Sequence, residues 1–193
     1  MVIRETDNEV ASELVHTGEV DLAIANFAED TGDPLVLTDF YTEELILLMQ
    51  PDLYAAQFPS RYFDSRCIHL KDNHEFALFD GCPLLLNPEG DISGRFARRL
   101  FRMNGMSPEI RVESSNIETL LELCLRGAGA CITPANLAEA VFTKEQMEHM
   151  VQVHFAEGAK YKIRFASLRE RSRWKMLRDF IKTAQTTYES VHQ

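Results

Sequence analysis

CPLLLNPEGDISGRFARRLFRMNGMSPEIRVESSNIETLLELCLRGAGACITPANLAE, residues Cys82–Glu139, is the stretch that decides the fold class. Cys82–Leu86 is an apolar run of strand length, and Asn87-Pro88-Glu89-Gly90 is a turn signal. Ser93 is placed to cap a helix that carries Phe96, Leu100 and Phe101 and ends at Gly105. Ile110–Glu113 reads as a second strand. Ser115 and Glu118 make a capping box, and Ile117, Leu120, Leu121, Cys124 and Leu125 then repeat at helical spacing until Gly127 and Gly129. Ala130–Thr133 reads as a third strand, with Thr133 as N-cap and Pro134 in the first turn of another helix. Strands and helices in alternation call for an α/β fold with parallel strands.

The flanks extend the pattern. Val2–Glu5 reads as a short strand, and the capping-box pair Thr6 and Glu9 opens a helix to about Thr17, with Val10, Leu14 and Val15 as its apolar stripe and Gly18 as its stop. Val20–Phe27 is apolar on both faces, as in a covered parallel sheet, so the first segment reads as a βαβ unit. Leu35–Met49 follows, its apolar run Leu45–Met49 stopped by Pro51, and residues 51–75 read as surface loops and one short helix. Toward the end, Val151–Phe155 and Tyr161–Leu168 read as a strand pair. A last amphipathic helix starts near Ser172 and turns Trp174, Leu177, Phe180, Ile181 and Ala184 inward. Two strand-like passages, near 42–49 and 161–168, divide the chain into two α/β lobes, residues 1–48 plus 162–193 and residues 49–161. Two such passages predict a hinged cleft, a usual place for a small ligand.

Composition narrows the function classes. The 193 residues carry a formal net charge of −10, which argues against this chain gripping nucleic acid by itself. Two basic groups, Arg95, Arg98, Arg99 and Arg102, and then Arg164, Arg169, Arg171, Arg173, Lys175 and Arg178, read as solvated or dimer-facing charge. No apolar run reaches the roughly 20 residues of a membrane span, and MVIRETDNEV has no secretory pattern, so no membrane partner and a cytoplasmic location are expected. Cys67, Cys82, Cys124 and Cys131 form no CxxC pair and read as buried thiols, with redox sensing by Cys124 and Cys131 as the lesser reading. The pairs His69/His74 and His149/His154 are five apart, which does not set two ligands on one helix face, so neither metal nor cofactor is expected. There is no GxSxG, HExxH, P-loop or GxGxxG, and Gly127-Ala128-Gly129 precedes a strand instead of opening a helix.

Several pieces resemble one family in order and spacing. HTGEVDLAIANF (16–27) is similar to the strand of LysR-type regulator sensing domains that reads G-E-L-D-L-A-I. YTEELILLMQPD (41–52) resembles their crossing strand, and the 82–139 stretch carries their turn, N-G-x-x-P and G-x-G segments in order. The resemblance implies a type-2 periplasmic-binding-protein-like fold, two Rossmann-like lobes joined by two crossing strands. It also implies a small-molecule effector in the cleft, a homodimer or tetramer, and promoter DNA bound only through a helix-turn-helix domain that these residues do not include. Family sensing domains open with a strand and helix ahead of the piece at Val2, so lobe I is expected to lack them and to expose strand edges.

Within that fold, the polar groups at strand ends and helix starts are the candidate ligand contacts. They are Ser114, Ser115 and Asn116 at one helix N-terminus, Thr133 at another, Asn87 with Glu89 after a buried strand, and Asn26 and Phe27 at the end of the lobe I strand. Tyr41 and Thr42 on the crossing strand are weaker candidates. Helix N-termini suit an organic acid or other anion. No catalytic residue is expected; a solute-binding protein and an α/β enzyme with an unrecognised site are the alternatives.

Overall fold

The computed structural model describes residues 1–29, 32–59 and 66–191. In chain order the elements are α1 (Asn8–His16), β1 (Ala23–Ala25), β2 (Leu35–Met49), α2 (Pro51–Gln57), β3 (Cys67–His69), a 3-10 helix (Asn73–Phe79), β4 (Leu84–Leu86) and α3 (Ile92–Asn104). Then come β5 (Ile110–Glu113), α4 (Ile117–Leu125), β6 (Ala130–Pro134), α5 (Ala135–Val141), α6 (Lys144–His149), β7 (Val151–His154), β8 (Lys160–Leu168) and α7 (Lys175–Val191). They form two compact units, Met1–Thr42 with Tyr161–Gln193, and Glu43–Lys160. Part of the loop expected within 51–75, residues 60–65, lies outside the described residues.

In the first unit β8 runs between β1 and β2, and β1 is antiparallel to it, with Ile24 opposite Phe165. Val15, Ala23, Ala25, Phe27, Leu35 and Ala166 form the core. The expected βαβ unit is not what forms. Val2–Glu5 makes no strand, and Val2 and Ile3 lie exposed, because no neighbouring backbone offers them a ladder among the described residues. Val20–Phe27 contracts to Ala23–Ala25, whose Ile24 is 46% exposed between two buried alanines, so this strand is covered on one face only. The N-cap of α1 is Asp7, not Thr6; its carboxylate accepts the Val10 amide at 2.8 Å. In α7, Leu177 is buried, while Trp174 before it and Phe180 within it are exposed at 46% and 40%.

Arg164 anchors this unit. Its side chain is buried and donates to the Phe27 carbonyl, to Glu29 (2.9 Å) and to Asp39 (2.8 Å). The Lys162 ammonium and the Arg164 guanidinium, in that order of effect, hold the Asp39 carboxyl below its usual range. Arg169 and Arg171 pair with Asp33 and Asp21. These pairings use much of the second basic group.

The second unit is built on a sheet ordered β3-β7-β2-β6-β4-β5. β2 is antiparallel to β6 and β7, while β3 is parallel to β7 and β4 is parallel to both β5 and β6. Five strands therefore point one way and β2 alone the other. The segments read as a strand pair, Val151–Phe155 and Tyr161–Leu168, do not pair, because β7 instead bonds β2 and β3 while β8 lies beside β1. Ile46, Leu48, Leu85 and Cys131 pack with Leu120, Leu121 and Cys124 of α4, Ala138 of α5 and Met147 of α6. A separate aromatic group joins Phe76 to Phe79, Phe101 and Phe155, with Phe96 edge-on to Phe155 at 4.8 Å. None of the described helices is long and apolar enough to cross a membrane.

Candidate functional site

Because β4, β5 and β6 run parallel, their carboxyl ends share one edge of the second unit, the edge where open α/β sheets take ligands. Asn87, the residue after β4, is 4% exposed and fully committed there. Its Nδ2 donates to the Ser114 carbonyl at 2.9 Å, and its Oδ1 accepts the Ser93 hydroxyl at 2.7 Å. Its own carbonyl accepts the Arg98 guanidinium at 3.0 Å, and Arg98 also pairs with Glu113. Gly94 makes this approach possible: a Cβ there would stand 1.9 Å from the Pro88 carbonyl oxygen. Ser93, expected to be an N-cap, instead lies inside the first turn, and Asp91 holds the cap position of α3.

At the next strand end, the helix-capping assignment moves by one residue. Asn116, not Ser115, caps α4; its Oδ1 accepts the Thr119 amide at 2.9 Å. The Ser114 hydroxyl accepts the Asn116 amide at 3.1 Å, while Ser115 is exposed. The structure therefore brings Asn87 and Ser114–Asn116 together through the Asn87–Ser114 bond, with Ser115 and Asn116 facing solvent.

Thr133 is fully buried within β6, and Pro134 holds the N-cap position of α5 without a side-chain bond. Sequence reasoning missed the group that occupies this helix start. Glu43 on β2 is 4% exposed, and its Oε1 accepts the amides of Glu44 (2.8 Å) and Asn136 (3.3 Å). Burial raises the Glu43 carboxyl above its ordinary value, and the bonds from the Glu44 and Asn136 amides only partly offset that. The chain's own carboxylate thus fills the place where an external anion was expected. Nothing along the chain signals it, since it is the β2–β6 pairing that brings Glu43 to Asn136.

In the first unit Asn26 and Phe27 serve the fold. Asn26 donates from Nδ2 to the Lys162 carbonyl at 2.9 Å, and its amide donates to Asn8 Oδ1 at 3.1 Å. The Phe27 ring is in the core and its carbonyl is held by Arg164. Tyr41 stacks on Tyr188 at 4.5 Å. The basic residues of α3 bond within the unit as well: Arg95 to the Gly90 carbonyl, Arg99 to the Gly158 carbonyl and Arg102 to Glu89.

Buried thiols were expected, and Cys82, Cys124 and Cys131 are buried, but Cys67 is exposed. Desolvation pushes Cys82 up to about 11, Cys124 up to about 12, and Cys131 well above the ordinary thiol range. Thiols that stay protonated are poor nucleophiles, which argues against redox sensing by Cys124 and Cys131. The histidine reasoning also changes. Chain spacing gave neither His69/His74 nor His149/His154 a shared helix face, but strand pairing puts His69 against His154, and Cys67 joins them.

A sequence model described as "LysR substrate binding domain" matches residues 1–189. No curated protein sequence matches the chain. Among solved structures, it is similar to the Synechocystis PCC6803 CcmR regulatory domain in complex with 2-PG, with 15% identity, a TM-score of 0.69, and coverage of 94% of this chain and 80% of that one. The C-terminal domain of a probable LysR family transcriptional regulator from Rhodococcus sp. RHA1 is 19% identical, with a TM-score of 0.66 and coverage of 94% and 82%. The Corynebacterium glutamicum OxyR C206 mutant is 16% identical with a TM-score of 0.66; the match covers 96% of this chain and 54% of that protein. At these identities the likeness is one of fold.

Proposed function

The chain belongs to the family of LysR substrate-binding domains, the effector-binding regulatory domains of LysR-type regulators, and from that premise we propose that it binds a small anionic effector at the carboxyl edge of its second unit. The observation that carries the reading is the meeting of parallel strand ends at one edge, where the Asn87–Ser114 bond fixes a solvent-facing Ser115–Asn116 turn at the start of α4. The positive end of that helix favours negative charge. The 2-PG named with the Synechocystis domain fits the same reading. Of the residues named from sequence, Ser114, Ser115 and Asn116 are proposed as contacts. Asn87 is proposed as their support, and Thr133 as a buried element behind them.

The two units are proposed to be the two lobes of the fold. The parent protein is proposed to act in the cytoplasm as a homodimer or tetramer, with promoter DNA held by a separate helix-turn-helix domain. Effector binding shifts a regulator only by the difference in affinity between its states, commonly about 1–3 kcal/mol.

A thermal-shift screen of small carboxylic and phosphorylated acids, followed by calorimetry, tests the site. A binder at about 100 times its Kd should stabilise the chain by about 2.7 kcal/mol. Asn116→Asp keeps a good N-cap while placing a negative charge against the ligand. It should weaken an anionic binder by roughly tenfold or more, about 1.4 kcal/mol, and leave the ligand-free Tm near that of the parent chain. Unchanged affinity in Asn116→Asp and Ser115→Ala would overturn the site.

A further inference from the structure

On the same edge of the second unit, two and three strands over from Thr133, lies a cluster outside the proposed effector site. The ladder registers align Thr133 with Ile46, Ile46 with His154, and His154 with His69. Residues directly opposite each other point to one face, so His69 and His154 project side by side, and their rings stack at 4.6 Å. Cys67, two residues before His69, projects to that face as well, with Sγ 3.5 Å from His69 Nε2. One ligand atom from each of Cys67, His69 and His154 lies within 4.8 Å of the others.

We propose that Cys67, His69 and His154 form a binding site for a thiophilic divalent cation of the zinc class. Ligands about 2.0–2.3 Å from zinc stand about 3.3–3.8 Å from one another in a tetrahedron. The Cys67–His69 separation already matches such an edge. The remaining separations, all within 4.8 Å, close to that edge length by side-chain rotation, and both Cys67 and His69 are exposed. The donor set, one thiol and two imidazoles, selects zinc-like over hard cations such as Mg2+ or Ca2+.

A second observation favours the assignment. His154 donates from Nδ1 to Glu44 Oε1 at 3.0 Å, which fixes the tautomer that leaves Nε2 as the ligand atom. A carboxylate behind a metal-binding imidazole orients the ring and makes it a better donor. Lys160 holds the other oxygen of Glu44 at 3.6 Å, so that carboxylate is positioned and partly neutralised. On binding, the Cys67 thiol gives its proton to solvent and the thiolate forms the metal bond. Both imidazoles bind neutral, and the fourth position goes to a water molecule. The metal would then tie β3 to β7 at the edge of the sheet, at the side chains and not only through the backbone ladder.

Cobalt(II) titration of the full chain tests the site, because Co2+ reports tetrahedral thiolate ligation by its charge-transfer and d–d absorption. One Co2+ per chain should bind with a thiolate charge-transfer band, and Zn2+ should displace it. Cys67→Ser should abolish the band, and His154→Ala should abolish tight binding. Glu44→Gln should preserve the band while weakening affinity by about 10- to 100-fold. His69→Gln on the exposed strand serves as an independent variant, and circular dichroism of each metal-free variant should match the parent. Absence of the band in the parent chain, or its persistence in Cys67→Ser, would overturn the proposal.

Discussion

Asn87 donates its side-chain Nδ2–H to the carbonyl oxygen of Ser114 at 2.9 Å, and so ties the carboxyl end of β4 to that of β5. The bond is buried on the Asn87 side, where Oδ1 also accepts the Ser93 hydroxyl. Asn87→Ala removes both bonds and should cost about 1–3 kcal/mol, since the buried Ser93 hydroxyl loses its acceptor. Urea denaturation would measure it. A loss below about 0.5 kcal/mol would mean the strand ends are held by backbone alone.

Gly94 and Gly90 make a matched pair of tests. A methyl group at Gly94 would collide with the Pro88 and Asn87 carbonyl oxygens at 1.9 Å and 2.5 Å, whereas nothing lies within 4 Å of a Cβ at Gly90. Gly94→Ala should destabilise the second unit by about 3 kcal/mol or more, because rigid backbone must move. Gly90→Ala should leave Tm nearly unchanged. Equal effects in the two variants would contradict the close packing of α3 on the turn.

Glu43 should make stability depend on pH in a direction opposite to an ordinary surface carboxylate. Burial raises its folded-state pKa above the ordinary carboxyl value, so the folded form holds the proton more tightly than the unfolded chain. That contribution is fully present below the unfolded value and is lost as pH rises through the folded pKa. Glu43→Gln removes this dependence. Relative to Glu43→Gln, the parent should lose stability from about pH 4 upward and then level off once the folded form has ionised. Chemical denaturation at a series of pH values would read the difference, and a flat difference would show that Glu43 is not desolvated.

Thiol labelling of the native chain should modify Cys67 and spare the other three cysteines. Cys82, Cys124 and Cys131 are buried and their thiols are held protonated, so each should react only after unfolding. Mass spectrometry of peptides after brief treatment with a disulfide reagent distinguishes the sites. Rapid native modification of Cys124 or Cys131 would reopen a redox role.

Arg164→Met should destabilise the first unit, by about 1–3 kcal/mol through the Phe27 carbonyl left without its donor. Phe27 is buried and Arg164 is its partner. Glu29 and Asp39 remain solvated and add little. Proteolytic sensitivity of residues 1–42 should rise in step, and an unchanged digestion pattern would show that the β1 end is held without Arg164.

The three-fold alternation of Cys82–Glu139 was legible because β4, α3, β5, α4 and β6 are each bounded by local signals: a buried apolar run, Gly105 in the left-handed region, and the helical spacing of Leu120, Leu121 and Cys124. The ends were less legible. Val2–Glu5 has strand-like residues but no partner ladder, and strand formation is a property of two segments rather than one. Ser115 and Asn116 are both good caps, and the Asn87–Ser114 bond, with the Ser114 hydroxyl on the Asn116 amide, fixes the turn in which Asn116 takes the role.

By itself the sequence determined an α/β chain with parallel strands, the polar turn at Ser114–Asn116, and an order of segments that matches the LysR sensing domains. Helical and strand periodicity, capping residues and glycine stops are short-range features, so they can be read along the chain. Only the tertiary structure decided that Glu43 fills the start of α5 and that Thr133 is inaccessible. It alone set Cys67, His69 and His154 within 4.8 Å of one another. Those are pairings across a sheet, between residues up to 93 positions apart in the case of Glu43 and Asn136. Local alternation fixes which face of a strand is buried, but which distant strand lies beside it, as β2 and β3 lie beside β7, depends on the whole unit.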